Sequence, residues 1–373
     1  MGQSALLGNF VNKPAPAMME SLLNHMVEIT GHRDHDLLDI SVMTALLNVA
    51  GITQSRVMEL FQFRGDLYVR PRVWVADGKV GKVNEDSPLN EKAGEPIINF
   101  PGLVACIAQH KTRHEEQRND GQHALWIPIW QNDKVSTCLE ISHDQAFSEQ
   151  MLCMIEGVLA VYRNYQSLLE YSEKDSLTGL LNRKTFDEKF SRMINKSTDM
   201  VTPATDNERR MSPDARTQWL AVVDIDHFKR VNDKFGHLYG DEVLILVANI
   251  LRSAFRSHDR VFRFGGEEFV VLLRSATLDD ARMIFERFRT SVESYHFPQV
   301  GQVTVSIGFT SIGAETPVVI LGHADQALYH AKENGRNRVC YYNELCDQGL
   351  IETVKESSAS EAEFFFDEEP SSD

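Results

Sequence analysis

Arg263-Phe264-Gly265-Gly266-Glu267-Glu268-Phe269, continuing into Val270-Val271-Leu272-Leu273, is the stretch whose reading decides the rest. Upstream of it, Val261, Phe262 and Phe264 are interleaved with Arg260 and Arg263; downstream runs an apolar segment suited to a buried strand. A Gly-Gly pair between two such runs reads as a hairpin turn. Glycine also lets a large ligand approach the backbone, because no Cβ stands in the way. Glu267 and Glu268 follow at once. Adjacent strand residues point to opposite faces, so both carboxylates serve one ligand only if the turn distorts the strand. Taken alone, Gly-Gly-Glu-Glu reads equally well as a solvated hairpin tip.

The stretches around it remove that balance. Trp219-Leu220-Ala221-Val222-Val223 reads as a buried strand and ends in Asp224-Ile225-Asp226. In α/β sheets the carboxyl ends of strands are where ligands bind. Asp224 and Asp226 are two apart and share a face on a regular strand. Mg²⁺ takes hard oxygen ligands, commonly one or two carboxylates with substrate phosphates. Lys229 and nearby backbone N–H groups suit phosphate oxygens. Asn232 and Asp241 carry the donors and acceptors that match a guanine edge. Strands are expected at 219–224, 261–264, 269–273, 303–309 and 338–342, and helices at 184–194, 240–254, 277–294 and 319–334. Residues 195–218 are polar, contain Pro203 and Pro213, and read as a loop insertion.

Six ordered motifs, DSLTGLLNR, DIDHFKRVND, FGHLYGDE, RFGGEEF, VSIGF and ADQALYHAKENGRN, make residues 173–345 closely resemble the GGDEF family of diguanylate cyclases. The resemblance implies a nucleotidyl-cyclase-like α/β fold, a central mixed sheet flanked by helices. It implies condensation of two GTP into cyclic di-GMP with release of two pyrophosphates, by a homodimer. It makes Asp224, Glu267 and Glu268 the catalytic carboxylates and, with the Ile225 carbonyl, the holders of Mg²⁺, with Mn²⁺ as an alternative. It assigns Asn232 and Asp241 to guanine, Phe228, Lys229, Lys332 and Arg336 to the triphosphate, and Gly265 and Gly266 to the turn beneath the nucleotide. Arg256-Ser-His-Asp259 matches the family's Arg-x-x-Asp product-inhibition site, with Arg256 and Asp259 as its principal residues. The rival reading is a catalytically silent receptor for GTP or cyclic di-GMP.

Composition sets the outer limits. The chain has 373 residues, 42% of them hydrophobic, enough for two cores. A net charge of −16 argues against nucleic acid as a partner. From Glu352 to the end, eight acids face one Lys, a net of −7, and the segment reads as a disordered tail. Cys106, Cys138, Cys153, Cys340 and Cys346 show no paired spacing, which suits a reducing compartment. Without an apolar run of membrane-spanning length or a leader sequence, a cytoplasmic protein with no membrane partner is expected.

The first half reads as an α+β sensor domain on an antiparallel sheet. Helices are expected at 18–29, 37–49 and 103–110, and strands at 57–63, 67–75, 124–130 and 135–142. Trp126-Ile-Pro-Ile-Trp130, a polar turn and Cys138-Leu-Glu-Ile141 resemble the late strand pair of a GAF-type domain; a PAS-like domain is the competing reading. The resemblance implies a small ligand of unknown identity, with Trp74, Cys106, His110, Trp126 and Trp130 as candidate pocket residues. His32 and His35 lack a Cys partner and read as a polar loop rather than a metal site. From Met151, apolar residues recur at Ile155, Val158, Tyr162, Tyr165 and Leu169, steps of 4, 3, 4, 3 and 4. That seam predicts a coiled-coil stalk. The expected organisation is an extension (1–17), a GAF-like domain (18–150), a signalling helix (151–172), a GGDEF domain (173–346) and an acidic tail (347–373).

Overall fold

Two sets of apolar side chains condense separately, and the chain divides into Met1–Ser172 and Glu173–Asp373. A computed structural model describes residues 27, 30–31, 35–48, 52–76, 79–83, 93–131, 133–198, 216–256 and 259–351. The expected helix at 18–29 (apart from Val27), His32 and residues 352–373 of the acidic tail lie outside them.

In the first unit, α1 (His35–Leu47) precedes β1 (Ile52–Phe63) and β2 (Asp66–Ala76). Arg64 and Gly65 join these strands, both with positive φ (53° and 96°). Such two-residue turns match the natural twist of a hairpin. There follow β3 (Lys79–Lys82), β4 (Glu95–Pro96), α2 (Pro101–Ala108), β5 (His114–Gln117), β6 (His123–Gln131), β7 (Lys134–His143) and α3 (Glu149–Glu173). The sheet order is β3-β2-β1-β7-β6-β5, with β4 on β2. Every pairing in it is antiparallel. One face packs Val57, Val73, Leu125, Ile127, Leu139 and Ile141 against α1 and α3; the other packs Met58, Leu60, Trp126 and Cys138 around Leu103 of α2. Asp39 of α1, buried, accepts hydrogen bonds from Tyr162 Oη at 2.7 Å and from Arg72. That cluster fastens α1 and α3 to β2.

One expectation fails here. The seam on α3 is not free for a partner helix. Ile155, Val158, Tyr162 and Leu169 are buried in the unit's own core, with Met151 and Tyr165 packed against it. A 3–4 repeat satisfies a neighbouring sheet as readily as a second helix. The five candidate pocket residues all have packing partners. Trp126 is buried and donates to Glu116 at 2.7 Å, Cys106 sits fully buried behind it, and Trp130 stacks on His110 with ring centres 4.7 Å apart. Trp74 lies against Gly81, where a Cβ would come within 2.2 Å of its ring. Packing uses all five.

The second unit contains β8 (Leu181–Asn182), α4 (Arg183–Thr198), β9 (Thr217–Ile225), α5 (Phe228–Phe235), α6 (His237–Ala254), β10 (Arg260–Gly265) and β11 (Glu268–Ala276). Then come α7 (Leu278–Ser294), β12 (His296–Phe297), β13 (Gly301–Gln302), β14 (Val305–Ser311), α8 (Pro317–Glu333), β15 (Val339–Tyr341) and α9 (Tyr342–Asp347). The main sheet runs β15-β14-β9-β11-β10-β8 and is mixed: β15 and β8 pair parallel, the others antiparallel. Alternation sorts its two faces. Trp219, Ala221, Val223 and Ile225 of β9 face α6 and α7; Leu220 and Val222 face α4 and α8. The segment read as a loop at 195–218 is shorter than expected, since α4 continues to Thr198 and β9 begins at Thr217. Helix α8 crosses β14 at Gly308, where a Cβ would stand 2.1 Å from Leu328 N and 2.2 Å from Ala324 O.

Candidate active site

Strand β9 is buried along its length because strands cover both its edges and helices both its faces. Its alternation carries Asp224 out beneath the α4–α8 face, at the strand's end. Register then gathers polar groups: Glu268 of β11 and Ser306 of β14 stand directly opposite Asp224. Gly265 pairs with Glu268, leaving Gly266 and Glu267 as a two-residue turn, and the ladder between β10 and β11 is irregular from Arg263 to Gly265. This distortion resolves the problem of adjacent glutamates. Glu268 lies on the pleat facing Asp224, while Glu267 projects from the turn, and the charge of Asp224 acts on both. Gly266 has a φ of 44°, and a Cβ at Gly265 or Gly266 would meet nothing within 4 Å, so the space over the turn is open.

The site is rich in negative charge. Asp224 is 4% exposed and holds Lys332 Nζ at 2.8 Å from Oδ2. Burial raises its pKa, against the pull of Lys332 and, more weakly, Arg336. Burial and then Asp224 push Glu267 up to about 7, Lys332 opposing. Glu268 is raised for the same two reasons, opposed by Lys332, with a further upward push from Asp325 of α8. Among the described residues, no three His, Cys, Asp or Glu side chains converge closely enough to hold a metal ion as they stand. The donor set nevertheless suits a hard divalent cation. It is all carboxylate oxygen, it carries more negative charge than its neighbours balance, and an ammonium already stands against Asp224.

The other predicted residues fall as follows. Ile225 ends β9 with its side chain in the core, so only its backbone is available to a ligand. Phe228 is buried at the start of α5, and Lys229 beside it is exposed. Asn232 lies against α6: a Cβ on Gly240 would come within 1.9 Å of Asn232 Oδ1. Asp241 follows Gly240 on that helix and is exposed. Lys332 is in the last turn of α8, and Arg336 lies just beyond it with a φ of 61°. Arg256 is exposed, and Asp259 is 7% exposed, its carboxylate accepting from Arg256 N at 3.0 Å and Arg274 N at 3.2 Å. Its oxygens are thus engaged by backbone.

Sequence reasoning missed three supports. Asp226 shares no work with Asp224. It is 5% exposed and accepts from Thr304 Oγ1 (2.7 Å), Ser306 Oγ (2.6 Å) and Asn337 N (3.0 Å), fixing the loop that carries Arg336. Arg263 donates to Gly266 O (2.8 Å) and to both oxygens of Asp175 (3.1 and 3.2 Å), bracing the turn. Asp325 stands seven residues before Lys332 on α8, a helical spacing that places both on one face and was visible in the sequence.

The "Diguanylate cyclase, GGDEF domain" family matches residues 172–338. Diguanylate cyclase DgcP of Pseudomonas aeruginosa is 38% identical over 266 residues, covering 70% of this chain and 35% of its own. Diguanylate cyclase DgcZ of Escherichia coli is 30% identical over 248 residues, covering 65% of this chain and 74% of its own. The chain therefore spans about a third of the length of DgcP. Among solved structures, the coiled coil and GGDEF domain of DgcB from Caulobacter crescentus, in complex with c-di-GMP, is 28% identical; it covers 52% of this chain and 97% of that one, with a TM-score of 0.45. No family match extends over the first unit. With the turn, the acidic strand end and a relative matched over most of its length, the chain belongs to the GGDEF family of diguanylate cyclases.

Proposed function

We propose that the chain is a diguanylate cyclase that condenses two GTP into cyclic di-GMP. The observation that carries this reading is the pairing of Glu268 with Asp224 across β11 and β9, beneath an open glycine turn that bears Glu267. Asn232 and Asp241 read guanine, Gly265 and Gly266 let the nucleotide lie over the turn, and Phe228, Lys229, Lys332 and Arg336 hold the triphosphate. Asp224, Glu267, Glu268 and the Ile225 carbonyl would hold a divalent cation, Mg²⁺ or Mn²⁺. When bound, it supplies neutralisation of the triphosphate and a lowered pKa for the attacking hydroxyl. The 3′-oxygen of one GTP bonds to the α-phosphorus of the other, the bond to pyrophosphate breaks, and the hydroxyl proton leaves to solvent. The same exchange in the opposite sense closes the ring.

Two substrates, each on its own domain, must meet face to face, so the active form is a two-fold dimer. On α3, away from its core seam, Leu168 and Tyr171 stand three residues apart and are 61% and 76% exposed. That spacing suits the same helix of a second copy. The first unit is read as a cytoplasmic GAF-type sensor, on its antiparallel sheet between helices, and Arg256 and Asp259 as a product-binding inhibitory site.

The direct test is the purified chain with GTP and Mg²⁺, products resolved by chromatography. Cyclic di-GMP and pyrophosphate in a 1:2 ratio are expected. GTP binding with no turnover at any protein concentration would leave a receptor instead. Glu267→Gln should abolish turnover with the fold intact, and Arg256→Ala should relieve inhibition by added product.

A further inference from the structure

The first unit contains a cavity that none of its sequence motifs announces. It has a volume of about 290 Å³ and lies between β6, next to the edge strand β5, and α3. That is the volume of about ten liquid waters at roughly 30 Å³ each. Its floor is apolar and reaches the core: Leu125 and Ile127 from β6, Ile155 and Leu159 from α3, each 3% exposed or less. Its rim is charged. Arg113, just before β5, reaches across to Glu156 of α3 and closes one side with an ion pair. On the other side stands Arg163, also on α3. Arg163 is exposed, has no hydrogen-bonding or acidic partner among the described residues, and has its pKa drawn down by desolvation. A guanidinium beside an apolar hollow, with no anion of its own among the described residues, is half of a recognition pair.

We infer that this cavity binds a small amphipathic anion, a carboxylate on an apolar body of about ten heavy atoms, with the head on Arg163 and the body on the Leu125–Leu159 floor. The dimensions agree: pockets for small ligands begin near 300 Å³ and combine apolar walls with a few placed polar groups. The consequence is mechanical. Half of the floor, Ile155 and Leu159, and the Arg163 that faces the head group belong to α3, the helix that ends at Glu173 where the second unit begins. An occupant bridges α3 to β6 beside the Arg113–Glu156 pair, and so changes how firmly that helix is held.

Octanoate, with ten heavy atoms, is the probe, titrated calorimetrically into the full chain; octan-1-ol and octylamine are the controls. Saturable one-to-one binding of octanoate tighter than ~1 mM is expected, with the alcohol weaker and the amine weaker still. Arg163→Gln should weaken octanoate about tenfold or more and leave the alcohol unchanged. Thr112→Trp places an indole at the mouth from an exposed loop position without touching the core, and should abolish binding of both. No saturable binding of octanoate, equal affinity for octanoate in Arg163→Gln, or equal affinity in Thr112→Trp would each overturn the assignment. Calorimetry needs no turnover, so this inference and the cyclase reading fail independently.

Discussion

Glu267 holds a proton near neutral pH in the metal-free protein, because burial and Asp224 push its pKa up to about 7 from an ordinary 4.5. Between those two values the folded chain binds more protons than the unfolded one. Stability therefore falls as pH rises through that window, and the full penalty stands above about pH 7. The shift corresponds to about 3 kcal/mol, reduced to about 1–2 kcal/mol by solvent at a partly exposed side chain. Glu267→Gln should then stabilise the chelator-treated protein by that amount near pH 8 and by nothing near pH 4. Urea denaturation at the two pH values checks it, and an equal gain at both would refute the electrostatic origin. At Asp226 the sequence misled. Two-residue spacing implied a face shared with Asp224, but β9 ends at Ile225 and Asp226 turns inward to three donors. Asp226→Ala should remove about 3 kcal/mol of stability and raise the KM for GTP through the displaced Arg336 loop, without the complete loss of turnover expected at Glu267.

Helix α8 illustrates what elements contribute. It delivers Lys332 to Asp224, and it approaches β14 closely only because Gly308 offers no side chain. Gly308→Ala should force α8 outward, lowering stability by about 1–3 kcal/mol and turnover with it, as read by thermal melting and initial rates. An unchanged melting point would mean that the helix is not seated as described. The strands and helices of this half were legible because their apolar residues recur at clean periods of two or near four. The short polar strands β3 and β5 were not, since Lys79–Lys82 and His114–Gln117 bury no large apolar side chain and are held by backbone pairing and polar contacts such as Trp126 to Glu116. The α3 seam was legible as a stripe but not as to its occupant: periodicity reports that a face is buried, never against what. The cavity beside that helix was illegible for a related reason, since Leu125, Ile127 and Leu159 read as ordinary core and only the third dimension leaves a gap between them.

At the scale of the whole molecule, the proposed two-chain site would make activity a function of concentration. Specific activity should fall on dilution below the dimer dissociation constant; a rate strictly linear in protein would exclude a two-chain site. Leu168→Glu combined with Tyr171→Glu, both positions already exposed, should weaken self-association at least tenfold by analytical ultracentrifugation while leaving the monomer folded. The acidic pair and the turn were readable because their chemistry demands particular residue types in order along the chain. Their bracing was not, because Asp175 and Arg263 are 88 residues apart and only the tertiary fold joins them.

That brace has a consequence for how such a protein is put together. Asp175 lies two residues after Glu173, where the second unit starts, and one guanidinium ties it to the carbonyl of Gly266. The doorway through which the chain enters is thereby wired to the floor on which the nucleotide would rest. Any upstream module spliced on at that doorway would find the same handle waiting, whatever stimulus it answers to, so exchanging the module need not redesign the machine behind it.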